Sequence, residues 1–119
     1  MDVLIVETNA ELAGVWARSL QRSEATVRIA KGEETAIRAL EVQAFDVIIL
    51  NLGMQDGSAL AVADFAGFRH PDAKVVFVTS STFFSDGSIF NHASNACAYL
   101  KDNTPPEDLA AIVEHYGRA

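Results

Sequence analysis

A chain of 119 residues, half of them apolar and 21% charged, has material for one domain with its own core and is not a disordered polymer. Nine Lys and Arg against sixteen Asp and Glu leave a formal charge of −7, which repels phosphate backbones and excludes nucleic acid as the principal partner. Cys97 is alone, which excludes an intramolecular disulfide and suits a reducing cytoplasm.

The chain opens on Met1-Asp2-Val3-Leu4-Ile5-Val6, apolar but without a basic leader, and meets an acid at Glu7. Neither a signal peptide nor a membrane span is expected there. Val3 to Val6 is apolar at every position, as a parallel strand covered on both faces must be. Leu12, Val15, Trp16, Ser19 and Leu20 then follow the three-and-four spacing of a helix with one buried face, which places Trp16 in the core. Ala25 to Ala30 alternates apolar with polar and reads as an edge strand. Ala36, Ile37 and Leu40 make a second helical stripe, behind Glu33 and Glu34, whose charges suit a helix N-terminus.

Val47 to Leu50 is another continuous apolar run and the third strand. Ser58 to Phe68 is an Ala-rich helix with Leu60, Ala63 and Ala66 or Phe68 on its inner side. Val75 to Val78 is the fourth strand. Ser80 to Asn95 carries Ser85, Gly87, Ser88 and Asn91, all poor helix formers, so only a short helix is expected, with Asn95 as its cap. Ala96 to Leu100 is the fifth strand, with Cys97 a buried small hydrophobe. Thr104-Pro105-Pro106-Glu107 reads as a capping box with Pro at the first helical position. Leu109, Ile112, Val113 and Tyr116 form the stripe of the last helix.

Strand and helix alternate throughout, which predicts an α/β domain spanning residues 1–119 with a doubly wound, five-stranded parallel sheet. The commonest order for such units is 2-1-3-4-5, with helices on both faces, and ligands bind beyond the carboxyl ends of the strands. Glu7, Thr8, Asn51, Thr79 and the residues after Leu100 stand at those ends. The loop Glu7-Thr8-Asn9-Ala10-Glu11 is acidic where a flavodoxin or a P-loop protein needs a phosphate cradle, so neither nucleotide chemistry fits. A Toprim-like metal enzyme would need a second acidic pair that Asn51-Leu52-Gly53 does not supply. His70, His92 and His115 have no ligand spacing with each other or with Cys97, so no structural zinc site is expected.

Four segments in order resemble the receiver domain of two-component response regulators. Val3-Leu4-Ile5-Val6-Glu7-Thr8-Asn9 is similar to its first strand, which usually ends in two acids. Ile48-Ile49-Leu50-Asn51-Leu52-Gly53-Met54-Gln55-Asp56-Gly57-Ser58 is similar to the third strand and its loop, often D-L-N-L-P-D-G-S. Val75-Val76-Phe77-Val78-Thr79-Ser80 is similar to the fourth strand with its Thr. Ala98-Tyr99-Leu100-Lys101-Asp102-Asn103-Thr104-Pro105-Pro106-Glu107-Asp108-Leu109 lies without gaps on A-Y-L-V-K-P-F-D-P-E-E-L. The resemblance spans the chain and implies a CheY-like, flavodoxin-like fold and a non-enzymatic role in phosphorelay signal transduction.

It also implies a chemistry, and this chain departs from it. The family transfers a phosphoryl group from a histidine kinase to an Asp at the end of the third strand, with acids of the first strand helping to hold Mg²⁺. The Thr contacts the phosphoryl group and a Lys after the fifth strand neutralises it. Here the acceptor position is Asn51, a neutral amide that forms no acyl phosphate, one acid position is Thr8, and the Lys position is Asp102. Lys101 falls one place early; a deletion in the fifth strand balanced by an insertion after it would restore it, but not the nucleophile. Glu7 and Thr79 persist. The resemblance therefore implies a degenerate pseudo-receiver with no catalytic residue, no resident metal and no cofactor. The alternative is an active receiver that takes phosphate on another residue with Mg²⁺, Asp56 being the nearest carboxylate.

Each position also has a plain structural reading. Glu7 is either a vestigial metal ligand or a carboxylate held by water or backbone amides, and Asn51 either mimics one switch state or fills the old pocket. Thr79 and Tyr99 resemble the family's switch pair but need no role beyond a bonded hydroxyl and a half-buried ring, since an equilibrium without a differential ligand is no switch. Phe83 and Phe84 stand where the family carries acids and either fold under their loop or present an apolar patch. The partners implied are proteins: a histidine kinase, a phosphotransfer protein or an output protein. A homodimer through the fourth helix, fifth strand and fifth helix is also implied, and a membrane is not.

Overall fold

The computed structural model describes residues 1–53, 59–79 and 95–117. Five parallel strands, β1 (Asp2–Val6), β2 (Thr26–Ala30), β3 (Val47–Asn51), β4 (Lys74–Thr79) and β5 (Ala96–Lys101), form one sheet in the order β2-β1-β3-β4-β5. The described helices are α1 (Ala10–Arg22), α2 (Glu33–Val42), α3 (Ala59–Arg69) and α4 (Pro106–Gly117), the last being the helix expected as the fifth. The segment expected as the short fourth helix, with Phe83, Phe84 and His92, lies outside the described residues, as does Asp56.

The three central strands are buried along their apolar runs, and their side chains divide between two cores by simple alternation. Leu4, Val6, Ile48, Leu50, Val75 and Phe77 meet Ala36 and Leu40 of α2 and Val62 and Ala66 of α3. Val3, Ile5, Val47, Ile49, Val76 and Val78 meet Trp16 and Leu20 of α1 and Leu109 and Val113 of α4. Trp16, 1% exposed, is the largest fully buried side chain. Ser19, buried on the same helix, donates to the Pro106 carbonyl at 3.1 Å and ties α1 to the start of α4.

Several local expectations are corrected. The buried stripe of α3 is Ala59, Val62, Ala63 and Ala66, while Phe68 is 88% exposed, because Phe68 lies two residues beyond Ala66 and 200° around the helix. Ile37 is only half-buried and Ala39 takes its place beneath α2. The capping box at Thr104 does not form. Its hydroxyl instead donates back to the Lys101 carbonyl at 2.6 Å, and the Pro105 carbonyl receives the first helical N–H bonds, from Asp108 and Leu109. Pro106 does open the helix, where its missing N–H costs nothing. Cys97 is half-buried because the β4–β5 register jumps there: Val75 pairs with Ala96 but Val76 with Ala98. Cys97 is the extra residue of a bulge, and it and Ala98 both pack on the α1–α4 side.

The end of α1 carries a backbone cost. Glu24 N–H bonds to the Gln21 carbonyl and Ala25 N–H to the Leu20 carbonyl, the Schellman pattern, which requires a left-handed residue at Glu24 (φ 66°). Glycine takes that conformation without strain. Glu24→Gly is expected to stabilise the fold by about 0.5–1 kcal/mol, read as a raised denaturation midpoint at unchanged m-value. Gly117 packs closely in contrast: a Cβ there would meet the Met1 side chain, which must move aside, and would stand 3.3 Å from Val47 Cγ2.

Candidate functional site at the carboxyl ends of the strands

Parallel register builds the site. Val6 pairs with Leu50, so Glu7 and Asn51 follow on the next rung of adjacent strands. Asn51 pairs with Val78, and Thr79 with Lys101, so the ends of β4 and β5 stand one rung further out. The chain then turns, with Asp102 N–H donating to the Thr79 carbonyl at 2.8 Å.

Glu7 is 3% exposed although it lies just beyond the end of β1. Its Oε2 accepts from Asn51 Nδ2 at 2.5 Å, and the nearby Asn9 backbone N–H adds a weaker pull that favours its charged form. Asn51 Oδ1 accepts from Gly53 N–H at 2.7 Å. Only one orientation of the amide satisfies both bonds, since a flipped group would set oxygen against carboxylate and nitrogen against N–H. Two contributors were not read from the sequence. Asn9 caps α1, its Oδ1 accepting from Glu11 and Leu12 N–H, and an Asn before the first helical residue is the usual signal for that role. Gly53 closes a tight Asx-type turn on Asn51, and a Cβ on it would stand 3.2 Å from Asn51 Oδ1.

Burial pushes the Glu7 carboxyl above the ordinary range, and the nearby negative charge of Asp102 adds to the rise. The bonds from Asn51 and Asn9 offset only part of it. A carboxyl whose pKa is raised by folding stabilises the native state below its unfolded pKa, and that contribution disappears as pH rises through the folded value. Glu7→Gln keeps an oxygen to accept from Asn51 and removes the buried charge. It is expected to raise stability at pH 7 and to flatten the stability–pH profile just above pH ~4.5, checked by unfolding midpoints across that window.

Of the other expected positions, Thr8 is exposed at the rim. Thr79 is 1% exposed, and its hydroxyl has no hydrogen-bond partner among the described residues. Tyr99 is half-buried and stacks on Phe77, with ring centroids 5.3 Å apart and planes at 22°. Lys101 is exposed opposite Thr79, while Asp102 is the charged residue whose field reaches Glu7. The structure thus brings Glu7 and Asn51 into contact, with Asp102 on the β5 side close enough for its charge to act on Glu7.

Mg²⁺ asks for near-octahedral oxygen ligands about 2.0–2.1 Å away, carboxylates among them. In this cleft an amide N–H occupies one oxygen of Glu7, and the amide's own oxygen is already bonded to Gly53. That donor set does not fit the ion. Among the described residues no group of three or more His, Cys, Asp or Glu could hold a metal, and the histidines lie apart: His70 Nε2 bonds to the Leu40 carbonyl and His115 packs edge-on against Tyr116.

No protein-family profile and no curated protein matches the sequence. Solved structures do match it. The N-terminal domain of a response regulator/sensory box/GGDEF three-domain protein from Carboxydothermus hydrogenoformans superposes with TM-score 0.86 at 24% identity, over 99% of this chain and 94% of that one. A response regulator from Thermotoga maritima gives 0.81 at 17% identity over 99% and 98%, and a CheY-like receiver domain protein from Methanospirillum hungatei gives 0.82 at 20% over 98% and 93%. The fold is that of a response-regulator receiver domain. TrrA of Thermotoga maritima, with the same receiver fold (0.81, 23% identity, 97% of each chain), was solved in complex with Mg²⁺-BeF. The receiver fold accounts for the strand order and for where the cleft lies.

Proposed function

We propose that this chain is a receiver-type module of two-component signalling that acts through protein–protein contact and does not accept a phosphoryl group at position 51. The observation that carries the reading is the Asn51 side chain, standing at the end of β3 with its amide bonded to Glu7 and to Gly53. An amide is neutral and its nitrogen is a poor nucleophile, so the acyl phosphate that a carboxylate forms is chemically closed to it. Thr8 and Asp102 replace groups that would bring Mg²⁺ and a counter-cation to the same cleft, on the residue correspondence given above.

What remains for such a module is its surface. An apolar groove of about 350 Å³ between β5 and α4, lined by Ala98, Leu100, Ala111, Ile112, His115 and Tyr116, lies on the face expected to meet a partner or a second copy. The neighbouring fourth-helix segment of that face lies outside the described residues. The partners that suit this reading are a histidine kinase, a phosphotransfer protein or an output protein. No described helix is long and apolar enough to cross a membrane, and a cytoplasmic place is part of the proposal.

Incubation with acetyl phosphate and Mg²⁺ followed by intact mass measurement tests it. The mass is expected to stay unchanged. A phosphoryl adduct would overturn the reading, and its persistence in Asn51→Ala would move the acceptor to another residue and establish the active-receiver alternative.

A further inference from the structure

The cleft holds a contact that phosphotransfer does not need. Glu7 is a carboxylate at 3% exposure, and a buried carboxylate is costly without hydrogen-bond donors or a cation. The amide of Asn51 supplies a donor at 2.5 Å, and it is itself fixed from the far side by Gly53 N–H at 2.7 Å. The backbone N–H of Asn9 lends the same carboxylate a weaker stabilisation. Asn9 is in turn held by its capping bonds to α1, so the two contributions come from two rigid attachments, the end of β3 and the start of α1.

We infer that Asn51 and Glu7 form a fixed amide–carboxylate clamp that takes the place of a divalent cation and closes the strand-end cleft to one. A cation approaching Glu7 Oε2 must first displace the Asn51 N–H, and that turns the Asn51 oxygen away from Gly53 as well. The clamp links the ends of β1 and β3 without any added ligand. Its signalling consequence rests on the proposed function above: the cleft takes one arrangement on folding, so the module's surface is set constitutively and does not respond to Mg²⁺ or a phosphoryl donor.

The decisive property is polarity: one side must offer an N–H to the facing oxygen, so an amide and a carboxylate serve in either order and two carboxylates do not. Unfolding should be followed by the fluorescence of Trp16, the sole tryptophan, in wild type, Asn51→Asp, Glu7→Gln and the double variant, each with and without millimolar MgCl₂. Wild type is expected to show no Mg²⁺-dependent shift. Asn51→Asp sets two carboxylates at hydrogen-bond distance, and its folded-to-unfolded ratio without Mg²⁺ should fall about tenfold or more, since such a pair shifts a pKa by over one unit. The double variant exchanges the two groups and should recover most of that loss. A double variant no more stable than Asn51→Asp would overturn the clamp. Saturable Mg²⁺ binding by wild type, measured calorimetrically and needing no variant, would overturn the closure. Neither readout involves phosphate, so a failed clamp and a phosphorylated protein remain separate results.

Discussion

Asn51→Asp alone is expected to leave the protein at background in a phosphorylation assay, although it returns a carboxylate to the end of β3. A nucleophile is one part of the reaction, and the transferred group's charge must also be met. The restored carboxylate would face Glu7 at the distance now spanned by the 2.5 Å hydrogen bond, with Asp102 adding negative charge from the β5 side. Like charges at that range drive one group to hold a proton, and a protonated carboxyl does not attack phosphorus. Thr8 brings no second acid, and Lys101 is exposed opposite Thr79. Loss of one preorganised electrostatic group costs enzymes on the order of 10²–10³ in rate, and on the residue correspondence of the proposed function Thr8 and Asp102 stand where two such groups would be. Intact mass after acetyl phosphate and Mg²⁺ checks this, and full labelling of the single variant would mean that the site residues have been assigned to the wrong positions.

Trp16→Ala should be the most damaging single truncation of the core. Trp16 is 1% exposed in the layer that joins α1 and α4 to the sheet, among Leu20, Ile5, Ile49 and Leu109. Removing a buried Trp costs about 3–5 kcal/mol in transfer and cavity energy, a large part of the roughly 5–15 kcal/mol that holds a domain folded. Guanidinium unfolding followed by circular dichroism should show a much lower midpoint at a similar slope. Trp16→Phe, which refills much of the space, should lose less.

The sheet was legible because its central strands are apolar on both faces, so Val3–Val6, Val47–Leu50 and Val75–Val78 carry a pattern that no surface helix shares. β2 was recognisable as an edge by its alternation. Helix faces were less certain where small residues dominate. In α3 the stripe is Ala and Val, and the bulkier Phe68 attracts a core assignment that its angular position denies. Thr104 misled for a different reason. Its capping sequence is correct, but the turn after β5 offers the Lys101 carbonyl first, and a hydroxyl can donate there as readily as it can accept.

At the cleft, the identities at Glu7, Asn51 and Asp102 were visible as sequence, while their bonding was not. Nothing in the pattern announces that Asn51 donates to Glu7, because that depends on the β1–β3 register and on Gly53 holding the amide from behind. Gly53 leaves no side-chain signature because it works through its backbone N–H, whereas Asn9 carries the ordinary N-cap signal of its side chain.

The bulge at Cys97 separates two properties of the outer strand that would otherwise be tied. Its surplus residue is absorbed at the end remote from the cleft, so Tyr99 still faces Phe77, Leu100 still faces Val78 and Lys101 still faces Thr79. A lengthening or shortening of the chain near Cys97 can therefore be tolerated as a local ripple, leaving the chemistry-bearing end of the sheet in place. Evolution could edit that margin of the molecule one codon at a time while the opposite rim kept its spacing.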